Sequence, residues 1–93
     1  MINRGDKVRL ADAEVISAKV KFGRFGEYIG VLVSDQQNGK VWFKTTAEFA
    51  YRLDRGDKVS ATVECTGTGE DIVFAKKPVQ VAIQKAVETP VYS

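Results

Sequence analysis

Phe25, Tyr28 and Trp42 stand among Lys19, Lys21, Arg24, Lys40 and Lys44, so flat rings and cations alternate through one stretch of the chain. A ring offers a stacking surface to another planar group. A cation offers charge to a phosphate, an attraction that weakens with salt. Neither side chain makes or breaks bonds. Lysines on the outer face of a strand also keep a protein soluble and guard its edges, so no single one of them is diagnostic.

The groups that do make and break bonds are sparse. The chain has no histidine, which removes the commonest general base and metal ligand. Its one cysteine, Cys65, cannot build a structural zinc site. Gly39-Lys40 is not a phosphate-binding loop, because Val41 replaces the required Ser or Thr and Ser34 replaces the first glycine. Gly23-Arg24-Phe25-Gly26 lacks the three-glycine dinucleotide spacing and leads into a strand rather than a helix. Glu64, Glu70 and Asp71 gather at an expected hairpin, but turns attract acids anyway. The expectation is no catalysis, no metal and no cofactor.

Ninety-three residues make one small domain, which buries only about 60% of the surface of its unfolded chain. Hydrophobic residues at 44% and charged residues at 28% are ordinary for a globular chain, and a formal net charge of +2 permits a polyanionic partner without demanding one. No stretch approaches the ~20 apolar residues that span a bilayer, so no membrane partner is expected. Met1-Ile2-Asn3-Arg4-Gly5-Asp6 lacks the apolar region of a signal peptide. With a lone cysteine, that predicts an intracellular, cytoplasmic location and a buried, inert thiol.

The positions of the rings depend on strands. Leu10, Ile16, Ala18, Val20 and Phe22 alternate with Arg9, Ser17, Lys19 and Lys21, a period of two that predicts a strand over residues 8–22 with this apolar set buried. The alternation breaks near Asp12–Glu14, where a bend or bulge is expected. A second strand spans 27–34 and a third 40–44. A three-residue loop, Gln37-Asn38-Gly39, would pair Val33 with Phe43 and Ser34 with Trp42, keeping Ile29, Val31, Val33, Val41 and Phe43 on one face. Thr45 and Glu48 form a capping box opening a short helix over 46–53, with Phe49, Ala50 and Leu53 as its apolar stripe. Strands over 58–66 and 71–76 follow, and Pro78 is expected to end the unit. The tail to Ser93 fits a strand (Val79, Val81, Ile83) and a helix (Ile83, Val87) about equally. Arg-Gly-Asp-Lys-Val occurs twice, at 4–8 and 55–59, each time supplying a glycine turn before a strand.

The order strand–strand–strand–helix–strand–strand, together with Leu53-Asp54-Arg55-Gly56-Asp57-Lys58-Val59 as the helix exit, resembles the oligonucleotide/oligosaccharide-binding (OB) fold over residues 8–77. The fold class is therefore all-β with one short helix, a five-stranded OB-fold barrel over 1–77 followed by an aliphatic tail over 78–93. The resemblance implies a ligand face on the second and third strands, flanked by the first-to-second and fourth-to-fifth strand loops. Mapped here, that face holds Tyr28, Gly30, Leu32, Trp42 and Lys44, between the loops 23–26 and 67–69. It implies binding of single-stranded nucleic acid, DNA favoured, as in a phage or bacterial accessory of DNA replication or repair. Tyr28, Trp42 and Phe25 would stack on bases, and Lys21, Arg24, Lys40 and Lys44 would contact phosphates. The chain ends Glu-Thr-Pro-Val-Tyr-Ser, unlike the acidic, apolar-tipped tail of the bacterial single-stranded DNA-binding proteins. The competing expectation is an assembly module, a homo-oligomer formed through residues 79–93.

Overall fold

A computed structural model of the chain describes residues 2–86. Five strands, β1 (Lys7–Gly23), β2 (Gly26–Asp35), β3 (Gly39–Thr45), β4 (Lys58–Gly69) and β5 (Ile72–Gln84), close into a barrel in the order β1-β2-β3-β5-β4. Only β3 and β5 run parallel. The expected all-β class, five strands and one short helix between β3 and β4 are all present. Alternation fills the interior: Val31, Val33, Val41, Phe43, Val59, Ala61 and Val63 are completely buried. Burying a side chain of valine size or larger stabilises the fold by about 1.5–3 kcal/mol. Cys65 is buried among them. Among the described residues, no helix is long and apolar enough to cross a membrane.

The bend in β1 lies where the alternation breaks. Asp12 is left-handed at φ 50°, and the register against β4 shifts between Leu10 and Ala13. The bend lets one strand serve two neighbours, β4 through Glu14 and β2 from there to Gly23. It also changes which side chains are buried. Val8, Leu10, Ala13 and Val15 enter the core, Ile16 and Ala18 are half-buried, and Val20 and Phe22, expected inside, are exposed. The reason is cover. β4 stops pairing at Glu14 and β3 begins pairing with β2 only at Ile29, so residues 20–28 form a two-stranded arm with no opposite wall.

The register of β2 against β3 is two residues from the expected one: Val33 pairs with Val41 and Ser34 with Lys40. Because the offset is even, the same side chains face inward. Its cause is the buried Asp35. That carboxylate accepts the Gln37 and Asn38 N–H groups at 3.2 and 3.0 Å, the Asn38 side-chain amide at 2.8 Å and the Ala11 N–H at 3.0 Å. The chain therefore turns at once, and left-handed Gly39 (φ 76°) already belongs to β3.

The helix is a single 3₁₀ turn, Glu48–Arg52, rather than a longer α-helix over 46–53, and the capping box does not form. Thr45 Oγ1 instead accepts the Ala47 N–H at 3.0 Å, and Glu48 pairs with Arg52 at 2.8 Å. With three residues per turn, positions i and i+3 align, and both Ala50 and Leu53 are buried in the base of the barrel.

β5 continues through Pro78, where a break was expected, and pairs Val59 with Ile83 and Lys58 with Gln84. Proline cannot donate to a ladder and is tolerated at bulges. Here the register against β4 shifts on both sides of Thr62, and Lys77 and Gln80 are both left-handed at φ 54°. Of the aliphatic segment beginning at Val79, residues through Gln84 are strand; Val87 and Val91 lie outside the described residues.

The repeated pentapeptide makes the same turn twice. The Asn3 N–H donates to Asp6 Oδ2 and the Asp6 N–H to the Asn3 carbonyl; the Asp54 N–H donates to Asp57 Oδ2 and the Asp57 N–H to the Asp54 carbonyl. Each glycine is left-handed, Gly5 at φ 92° and Gly56 at φ 95°. Each turn then clasps the other strand. Gly5 and Asp6 bond to the backbone of Cys65, while Gly56 and Asp57 bond to that of Val15. The copies differ in environment. Asp6 is exposed, whereas Asp57 is buried and also accepts Lys85 Nζ at 2.6 Å and the Ala86 N–H at 2.8 Å, anchoring the end of β5.

Candidate nucleic-acid interface

Side chains that alternate with the buried ones must face outward, and strand pairing sets them in rows. Lys21 stands opposite Tyr28. The next row runs Lys19, Gly30, Lys44, Lys76 across β1, β2, β3 and β5. Beyond it lie Leu32, Trp42 and Phe74, and then Ser34, Lys40 and Ile72. A cationic row thus borders an aromatic one on a single sheet surface.

Tyr28 and Trp42 each rest on a glycine of the neighbouring strand. A Cβ on Gly30 would lie 2.5 Å from Trp42 Cζ2, and one on Gly23 would lie 3.1 Å from Tyr28 Cε1. Trp42 is half-buried, and Phe74 meets it edge to face, with centroids 6.1 Å apart and planes at 67°. Lys44 Nζ stands 5.7 Å from the Tyr28 ring centroid, within range for a cation–π attraction.

Two depressions mark the ends of the surface. One, of about 380 Å³, brings together Arg24, Phe25, Tyr28 and Lys44 with Lys76 and Lys77 of β5. The other, of about 1090 Å³, lies between the β2–β3 and β4–β5 turns, and Lys40 and Asp71 are among its lining residues. Lys40 and Lys44 are four residues apart on β3, about 13 Å at strand rise, and Trp42 sits between them outside both depressions. Lys21 is on the arm, opposite Tyr28 but outside the first depression. Phe25 is 97% exposed at the tip of the arm, in a turn of two residues, Arg24 and Phe25, between the paired Gly23 and Gly26.

The carboxylate within the first depression is Glu27. It lies beside the phenol of Tyr51, whose pKa is raised above its ordinary value by partial burial first and by Glu27 second. Every fully buried side-chain nitrogen or oxygen among the described residues has a hydrogen-bond partner. No group of three or more Cys, Asp or Glu among those residues could hold a metal ion.

The chain matches no protein-family model, no curated protein and no solved structure.

Three residues of the surface escaped sequence reasoning: Phe74, Lys76 and Lys77. They belong to β5, which reaches β3 only through the parallel pairing Lys40–Ile72 to Lys44–Lys76. The alternation Ile72, Phe74, Lys76 around buried Val73 and Ala75 was the available signal, but nothing local assigns that strand a neighbour.

Proposed function

We propose that this chain binds single-stranded nucleic acid, DNA favoured, and carries out no catalysis. The observation that supports it most is the pair of adjacent rows on the outer surface, Lys19, Lys44 and Lys76 beside Trp42 and Phe74. Stacking on exposed ring surface is indifferent to base identity, and lysines along the same surface suit a phosphate backbone. The strand order β1-β2-β3-β5-β4 with a helical turn between β3 and β4 is compatible with an OB-like barrel, whose best-known intracellular members are single-stranded DNA-binding proteins. Tyr28, Trp42 and Phe25 then stack, and Lys21, Arg24, Lys40 and Lys44 contact phosphates.

Trp42 is the only tryptophan, so its emission tests the reading directly. Titration with single-stranded oligonucleotides at two salt concentrations should quench it, with affinity falling steeply at higher salt. Unchanged emission with every DNA and RNA strand, at low salt, would remove the proposal.

A second reading, self-assembly through the segment after Pro78, is favoured by one feature. Beyond Lys76, β5 is paired with β4 alone among the described residues, and Val79 on it is 53% exposed. An open edge can accept a strand. Sizing the chain with and without residues 79–93 tests this reading.

A further inference from the structure

On the strength of that nucleic-acid reading, we infer that the 380 Å³ depression between the tip of the arm and the ends of β3 and β5 seats the terminal phosphomonoester of a bound strand.

The first support is a broken alternation. In a regular strand, consecutive residues face opposite sides, so Lys76 and Lys77 should diverge. Both line this depression. Lys77 is left-handed at φ 54°, a conformation that residues with a Cβ avoid. It also precedes Pro78, and a residue before proline favours extended backbone. Strain of this kind persists where the surroundings impose it and gathers at functional sites. Here two adjacent lysines, which a regular strand would set on opposite sides, line one cavity.

The second support is charge. Arg24, Lys44, Lys76 and Lys77 line the depression against a single carboxylate, Glu27. A phosphodiester within a strand carries one negative charge, whereas a phosphomonoester carries about 1.5–2 at pH 7. The excess of cations suits the second.

The third support is position. Tyr28 and Lys44 belong both to the sheet surface and to the depression, and residues 23–27 of the arm form its far wall. A strand passing Lys40 and Trp42 toward Lys44 therefore meets the arm. It must end there or leave the surface. The volume falls within the ~300–1,000 Å³ of small-ligand sites, enough for an end group stacked on Tyr28.

The test uses the full chain and a single-stranded oligodeoxynucleotide of about eight nucleotides, within the ~4–16 typical of one barrel. It is prepared with a 5′-phosphate, with a 3′-phosphate, or with hydroxyls at both ends, and titrated against Trp42 emission at one salt concentration. One phosphorylated end should bind about 3- to 10-fold more tightly than the hydroxyl form, the gain expected from a few solvent-screened ion pairs; which end it is gives the strand's polarity. The double variant Lys76→Gln/Lys77→Asn, in which asparagine tolerates the left-handed backbone, should lose that preference and bind all three alike. The variant Lys40→Gln, at the opposite end of the surface, should weaken all three equally and keep the preference. Equal affinity of the native chain for the three oligonucleotides overturns the phosphate seat while leaving the binding surface in place. A preference that survives the double variant also overturns it. Absence of binding by every oligonucleotide overturns the nucleic-acid reading itself, and the seat with it.

Discussion

The indole of Trp42 lies directly on the backbone of Gly30, so closely that a methyl group there would sit 2.5–2.9 Å from three of its ring atoms. Replacing a strand glycine by alanine ordinarily stabilises by about 0.5–1 kcal/mol through the unfolded chain. Here overcrowding of about 1–3 kcal/mol opposes it, because Phe74 limits where the ring can go. Gly30→Ala should therefore lower the urea midpoint and red-shift Trp42 emission as the ring lifts into water. An unshifted spectrum would show that the glycine does not seat the ring.

Stacking and stability separate at the tip of the arm. Phe25 is 97% exposed, so Phe25→Ala should change unfolding free energy by less than about 0.5 kcal/mol. If the ring stacks on a base, the same variant should weaken oligonucleotide binding by about 1–3 kcal/mol. Equal affinities for the two proteins, measured by anisotropy of a labelled strand, would exclude Phe25 from the interface.

Salt dependence counts the cations in use. For single strands, log K falls with log salt by about 0.7 per phosphate neutralised. If the proposed contacts Lys21, Arg24, Lys40 and Lys44 each meet one phosphate, the slope should be near −2.8. Lys40→Gln should make it shallower by about 0.7. A slope indifferent to every one of these substitutions would mean that the strand runs elsewhere.

Acid should loosen the end of β5 before it unfolds the barrel. Burial works against the Asp57 carboxylate, but the Ala86 N–H, Lys85 Nζ and the Asp54 N–H outweigh it and hold the pKa below the ordinary 3.8. A depressed carboxylate adds stability that is complete above 3.8 and disappears as pH falls from there through the folded-state value. The Lys85 ammonium, held above 10.5 chiefly by its bond to Asp57, adds stability that is present below 10.5 and lost as pH rises through its own folded-state value. Asp57→Asn should cost about 1.5–3 kcal/mol near neutral pH, the worth of hydrogen bonds to a charged group. It should also flatten the melting-temperature profile below pH 3.8. Faster amide exchange in residues 82–86 would localise the effect.

The parts of this fold legible in the sequence are those that depend on parity. Alternation placed Tyr28 and Trp42 outside and Val31, Val41 and Phe43 inside, and neither the bulge in β1 nor the offset between β2 and β3 altered that. What was not legible depends on particular polar contacts or distant neighbours. The register at Val33 follows from four donors converging on Asp35, and a count of loop residues does not contain them. Val20 and Phe22 read as core because periodicity reports a shared face, not whether anything covers it. Phe74, Lys76 and Lys77 were invisible as site residues because parallel pairing leaves no turn to announce it, and the reach of β5 past Pro78 depends on backbone bulges.

The seam between β3 and β5 joins segments some thirty residues apart, with all of β4 between them. Contacts so distant along the chain cost loop-closure entropy before they return anything, which makes them slow to form. Trp42 touches Phe74 across this seam, and Lys44 stands beside Lys76 across it. The proposed binding surface therefore depends on this pairing, and a chain in which β3 and β5 have not met holds only fragments of it. A ligand lying across both strands would act as a clasp, deepening the closed state by mass action and slowing its reopening.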